Sequence, residues 1–117
     1  MKTTYAILIL CCLLFVIACG TAKRGTPHYA SVATTKEAVA KGEVVYNIYC
    51  QKCHPGGATG VGPALNNKPL PGTAIRFQVR HGMGMMPAFK EDVISDEEMD
   101  NLIAYMKVLR KAKDKTK

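Results

Sequence analysis

A chain of 117 residues has room for one globular domain and not two. Its composition, 48% hydrophobic and 21% charged, is ordinary for a soluble globule outside the first nineteen positions. The formal charge of +7 favours anionic partners over basic ones.

Those first positions read MKTTYAILILCCLLFVIAC, one lysine and then an apolar run. The run is too short and wrongly flanked for a membrane span and fits the core of an export signal. It ends Val16-Ile17-Ala18-Cys19, a small residue just before a cysteine. This resembles the lipobox of bacterial lipoproteins, which implies cleavage before Cys19 and lipid on its thiol. A signal cut elsewhere and an uncleaved anchor are the alternatives. The division expected is a signal peptide over 1–18, a flexible tether over 19–34, a compact domain over 35–112 and a basic tail over 113–117. Cys11 and Cys12 then leave with the signal and Cys19 carries lipid. Cys50 and Cys53 remain, with no partner for a long-range disulfide although an exported chain meets an oxidising compartment.

Residues 20–33, GTAKRGTPHYASVA, are polar and carry Gly, Pro and charge, as a tether does. Thr34 and Glu37 have the spacing of a capping box. Ala38, Gly42, Val45, Tyr46 and Tyr49 follow at helical spacing, so a helix is expected to run into Cys50. Gly42 on its apolar face costs helix propensity, which a close approach of another helix would explain.

At the helix end stands Cys50-Gln51-Lys52-Cys53-His54. A dithiol exchanger would lower one thiol pKa at a helix N-terminus and sit in a βαβ context, and no strand pattern is present. Structural zinc needs four ligands, and this string offers three, with His28 and His81 distant and unpaired. Covalent haem attachment uses every residue: two thioethers from Cys50 and Cys53, and His54 as the proximal ligand. Iron of this type takes a methionine on its other side.

Residues 55–71 are rich in proline and glycine, lack an apolar period and read as a loop that wraps something. A short helix is expected over Thr73–His81, capped by Thr73, ended by a left-handed turn at Gly82, with Ile75 and Val79 inward. RHGMGMMPAF, residues 80–89, then offers four candidates for the second iron ligand: His81, Met83, Met85 and Met86. Pro87 pushes Met86 toward extended backbone on a stiff loop. From Ser95 a last helix is expected, with a Ser95–Glu98 capping box, Asp96 and Glu97 at its positive start, and Met99, Leu102, Ile103, Met106 and Leu109 inward.

Together, Cys50–His54, Gly62-Pro63-Ala64-Leu65, Met86-Pro87-Ala88-Phe89 and the last helix resemble the small class I c-type cytochromes, over roughly residues 35–110. The resemblance implies an all-α cytochrome c fold, three to four helices wrapped around one covalently bound haem c. It implies a crossing of the terminal helices at Gly42, with Tyr46 and Tyr105 nearby. It implies Met86 as the distal ligand, ahead of Met83 and Met85. It also implies that the Pro63 carbonyl accepts the Nδ1 hydrogen of His54 and so fixes the ring. Cofactor-binding residues are then Cys50, Cys53, His54, Pro63 and Met86, with His54 and Met86 on the metal.

Two axial ligands leave no position for substrate, so the function expected is one-electron transfer without catalysis. The alternative is a haem enzyme or gas sensor whose methionine can be displaced. A domain of this size buries little apolar area alone, so haem completes the core and the haem-free chain is expected to be largely unfolded. Lys52, Lys68 and Lys90 are candidates for the haem edge. The end of the chain, KVLRKAKDKTK, sets six basic residues against one acidic. It suits a solvated helix end, a membrane surface beside Cys19, or an acidic redox partner. Export and the lack of a binding motif argue against nucleic acid. The expected setting is the bacterial cell envelope, on the periplasmic side, held to a membrane by lipid. Redox protein partners are expected there and no small-molecule substrate.

Overall fold

The computed structural model describes residues 4, 5, 7, 25, 27–29, 31 and 34–112. Three α-helices make the domain: α1, Glu37–Tyr49; α2, Gly72–His81; and α3, Asp96–Leu109. A 3-10 turn, Pro55–Gly57, follows α1. Among the described residues the β-type pairing is a single isolated bridge, Met83 with Met86. The expected all-α architecture is the one observed. No helix of the described residues is long and apolar enough to cross a membrane. Cys19, most of the expected signal and the tail over 113–117 lie outside the described residues.

Helix α1 starts later than its sequence suggests. Lys36 holds the cap position without a side-chain cap. Thr34 Oγ1 instead accepts from the Lys36 amide at 3.1 Å, a local turn that uses the hydroxyl before it can reach the helix. The buried face is Val39, Gly42, Val45 and Tyr46; Ala38, expected inside, is exposed, and Val39 takes its place.

Helix α2 is capped by Pro71, and Thr73 lies within the first turn. The Pro71 carbonyl accepts from the amides of Ala74 and Ile75 at 3.1 Å each, and proline's fixed φ already suits that start. Ile75 and Val79 are buried as expected. Gly82 has φ +70° but ψ 180°, an extended exit open essentially to glycine alone, rather than the compact left-handed turn expected.

Helix α3 matches its sequence signals. Ser95 Oγ accepts from the Glu98 amide at 3.2 Å and Glu98 returns the bond to the Ser95 amide at 2.8 Å. Met99, Leu102, Ile103, Met106 and Leu109 are all buried. Helices α1 and α3 cross at Gly42, where a Cβ would run into the Asn101 carbonyl and lie 2.8 Å from Tyr105 Cβ. Tyr46 and Tyr105 meet beside the crossing, their rings tilted by 50° and their centroids 5.2 Å apart. The core gathers on this pair, with Ile75 and Val79 of α2 and Ile94 closing it.

Candidate cofactor site

Helix α1 ends by turning its last carbonyls onto the thiol segment. Cys50 caps the helix through its amide to the Tyr46 carbonyl, 2.8 Å. The amides of Cys53 and His54 both return to the Cys50 carbonyl, at 3.1 and 2.9 Å. Both thiols and the imidazole therefore hang from one tight turn at the end of a packed helix. Cys50 and Cys53 are free thiols, each half-buried. Burial, with Cys53 adjacent, pushes the Cys50 thiol up to about 12. A thiol so held is protonated at neutral pH, the reverse of what thiol–disulfide exchange requires.

The loop after His54 folds back over the ring. Gly62 N–H donates to the Cys53 carbonyl at 2.9 Å, which brings Pro63 to the imidazole. His54 is buried, and its Nδ1 lies 2.8 Å from the Pro63 carbonyl. The carbonyl only accepts, so Nδ1 carries the hydrogen and Nε2 keeps its lone pair for a metal. Gly62 makes room for the ring: a Cβ there would sit 2.8 Å from both Nδ1 and Nε2.

Sequence periodicity assigned Tyr46 to packing, and its hydroxyl does more. It donates to the His54 carbonyl and accepts from the Gly57 amide at 3.0 Å. Burial raises its pKa well above the ordinary tyrosine value, which keeps the donor hydrogen in place. Nothing in the spacing of Tyr46 distinguishes this role from core packing. Similarly, Gly56 and Gly57 take φ +55° and +77°, which lets the chain turn back and present Gly57 O to the amides of Leu65 and Asn66.

On the other flank, the amides and carbonyls of Met83 and Met86 pair reciprocally at 3.1 and 3.0 Å. Gly84, at φ +57°, stands at the first central position of this two-residue turn. The turn sorts the candidates. Met83 and Met85 are exposed, whereas Met86 is half-buried and packs on the core cluster that also takes in Cys50. Its sulfur lies 3.9 Å from Gln78 Nε2. His81 is exposed, stacked on Phe77 with centroids 4.2 Å apart, and its Nδ1 lies 2.8 Å from the Phe77 carbonyl.

The turn is anchored from behind. Phe89 N–H donates to the Val79 carbonyl at 2.9 Å. Arg80 donates to the carbonyls of Phe89 and Ile94, at 3.1 and 2.6 Å, and to Asp96 at 2.8 Å. Tyr49, at the end of α1, meets Phe89 edge-on at 5.7 Å, so the thiol turn and the methionine turn share one support. Sequence reading passed over Arg80, whose acceptors are backbone carbonyls and leave no motif.

Two thiols on one turn, an imidazole with Nδ1 engaged, a glycine clearing its face and an inward thioether together fit a covalently held haem. Among the described residues, no group of three or more His, Cys, Asp or Glu side chains is placed to hold a metal ion.

Comparison with known proteins agrees. The family described as Cytochrome C oxidase, cbb3-type, subunit III matches residues 37–106. The chain is similar to cytochrome c6 of Bryopsis maxima, 43% identical over 75 residues, covering 56% of this chain and 84% of the relative. It is 33% identical over 97 residues to cytochrome c6 of Picosynechococcus sp., covering 70% and 77%. It is also 35% identical over 68 residues to the cytochrome c subunit of 4-cresol dehydrogenase from Pseudomonas putida, covering 58% of this chain and 59% of that subunit. No solved structure matches the chain.

Proposed function

The chain belongs to the c-type cytochromes, as a small monohaem electron carrier with covalent haem c, and on that premise we propose that Cys50 and Cys53 form the thioethers, that His54 and Met86 ligate the iron, and that the protein works tethered in the bacterial cell envelope. The observation that carries the residue assignment is the hydrogen bond from His54 Nδ1 to the Pro63 carbonyl, 2.8 Å, around a buried ring. It supports a tautomer in which Nε2 keeps its lone pair for the iron.

When bound, haem c supplies one iron centre that takes up and returns a single electron. The chain's own residues do the rest. Cys50 and Cys53 prevent loss of the group. Pro63 holds the His54 ring in one orientation. Tyr46 and Gly57 pin the backbone of the same turn. The soft Met86 sulfur favours the reduced state and so a high potential. His54 and Met86 would both hold the iron, so a substrate would find no place on it.

Tethering rests on the lipobox-like run ending at Cys19, which supports an acylated residue 19 on the periplasmic side of a membrane. Partners are other redox proteins. The likeness to the cytochrome subunit of a dehydrogenase supports an enzyme as electron donor.

The intact mass of the purified chain tests haem and lipid together. The mass expected is that of residues 19–117 with one haem and with acyl chains on Cys19, and the C50A/C53A chain should lose the haem increment alone. A wild-type mass without haem overturns the site. A mass with haem but without lipid overturns the tether.

A further inference from the structure

Helix α3 is electrically polarised. Asp96, Glu97 and Glu98 stand in its first turn and Lys107 in its last, with Arg110 and Lys111 just beyond. At this basic end an open groove of about 740 Å³ runs between α3 and the loop of residues 66–71. The exposed lysines 68, 107 and 111 line it, and no carboxylate is among the described residues that do. Arg110 is the strut that assembles the groove. It donates to the carbonyls of Lys68 and Leu70, at 2.8 Å each, and so holds Lys68 beside the helix end. Leu70, 41% exposed, adds an apolar edge. Lys113, Lys115 and Lys117 follow in sequence, against Asp114 alone.

The chain arrives from its N-terminal side at the same place. A Cβ on Gly25 would lie 3.2 Å from Asn66 Cγ and 3.3 Å from Ala64 Cβ, and Asn66 lines the groove. Further along, the His28 amide donates to the Gly56 carbonyl at 2.8 Å, so the segment runs against the domain. Five residues lie between position 19 and position 25, so the leash spans at most about 22 Å.

We propose that this groove is the face the protein lays on a membrane of anionic phospholipid, with headgroup phosphates between Lys68, Lys107 and Lys111. The orientation rests on the proposed lipid at Cys19; the charge complementarity does not. Cationic side chains attract an anionic bilayer within about a Debye length, roughly 10 Å, of its surface, and the leash is long enough to let the groove come down to that distance. An acidic redox partner would satisfy the same charge, but the short connection from residue 19 favours the bilayer.

The test uses residues 20–117 exported behind a signal without the lipobox, loaded with haem and free of lipid. Lipidation itself is read separately, from the mass of the native-signal protein, so either reading can fail alone. Partition is measured by sedimentation with vesicles of phosphatidylcholine and with vesicles containing phosphatidylglycerol. Binding is expected only to the anionic vesicles, and to fade with salt. Reversing Lys68, Lys107 and Lys111 to Glu should weaken it by at least about a hundredfold, given about fivefold for each lysine lost near such a surface and further repulsion from each Glu. Reversing Lys36, Lys41 and Lys90 changes net charge equally and should cost far less. Equal losses in the two triple variants would overturn the groove in favour of net charge alone. Equal binding to neutral vesicles would overturn the headgroup assignment. No partition at low salt, with capture by polyglutamate, would overturn it in favour of an acidic protein.

Discussion

Arg80 donates to the Ile94 carbonyl at 2.6 Å, tying the last turn of α2 to the segment that follows the methionine turn. The same guanidinium holds the Phe89 carbonyl, and its side chain is only 14% exposed. Asp96, the third partner, is 65% exposed and contributes little by itself. Arg80→Ala leaves the carbonyls of half-buried Phe89 and buried Ile94 without this donor. It should destabilise the haem-loaded protein by about 2–4 kcal/mol in denaturant titration. It should also weaken the red-region sulfur–iron band, because the segment that aims Met86 loses its anchor. R80K, which can satisfy one carbonyl, should recover part of both.

Two glycines should respond differently to alanine. At Gly42 the added methyl meets the Asn101 carbonyl of the facing helix, and backbone on both sides must separate. The expected cost is about 2–3 kcal/mol. At Gly84 nothing lies within 4 Å, and only the φ of +57° opposes a side chain. That strain costs about 1 kcal/mol. Denaturation midpoints of the two variants at equal slope provide the comparison.

Gly62→Ala should act on the imidazole rather than on the fold. The methyl would occupy space 2.8 Å from both ring nitrogens. The ring must rotate, and the bond to the Pro63 carbonyl is lost. The expected result is a shifted midpoint potential and altered haem absorption, with helical content unchanged by circular dichroism.

Tyr105 sets an upper pH limit. Burial, with a smaller contribution from the Glu43 carboxylate, pushes its hydroxyl from an ordinary 10.0 up to about 12. The folded pKa lies above the unfolded one, so the unfolded chain releases this proton first. The stability tied to the neutral phenol is complete below pH 10 and is lost as pH rises through about 12. Denaturation between pH 9 and pH 12, roughly the window of that shift, should show Y105F losing less stability than wild type.

What the sequence disclosed followed the strength of its local signals. Ser95 and Glu98 form their capping box because both side chains meet only free amides at a helix start. Thr34 and Glu37 share that spacing and fail, because Thr34 reaches the nearer Lys36 amide first. Gly42 was legible as a crossing point because glycine on a buried face has few other uses. Cys50, Cys53 and His54 were legible as a group, and so was the Pro63 contact, through the family resemblance. Arg80, Gly62 and the Tyr46 hydroxyl were not, since each acts on backbone or on empty space brought near by the fold. The three methionines lie within three positions of one another in sequence. Only the hairpin at Gly84 turns Met83 and Met85 to solvent and Met86 to the core.

The central claim is that one haem iron lies between His54 and Met86. The visible spectrum of the oxidised M86A protein, beside M83A and M85A, tests it most directly. The sulfur–iron band should vanish in M86A alone, and ferrous M86A should bind carbon monoxide readily while the wild type does not. A band that survives in M86A and disappears in M83A or M85A would contradict the assignment. Rapid, full carbon monoxide binding by the wild type would contradict the closed iron site on which electron transfer without catalysis depends.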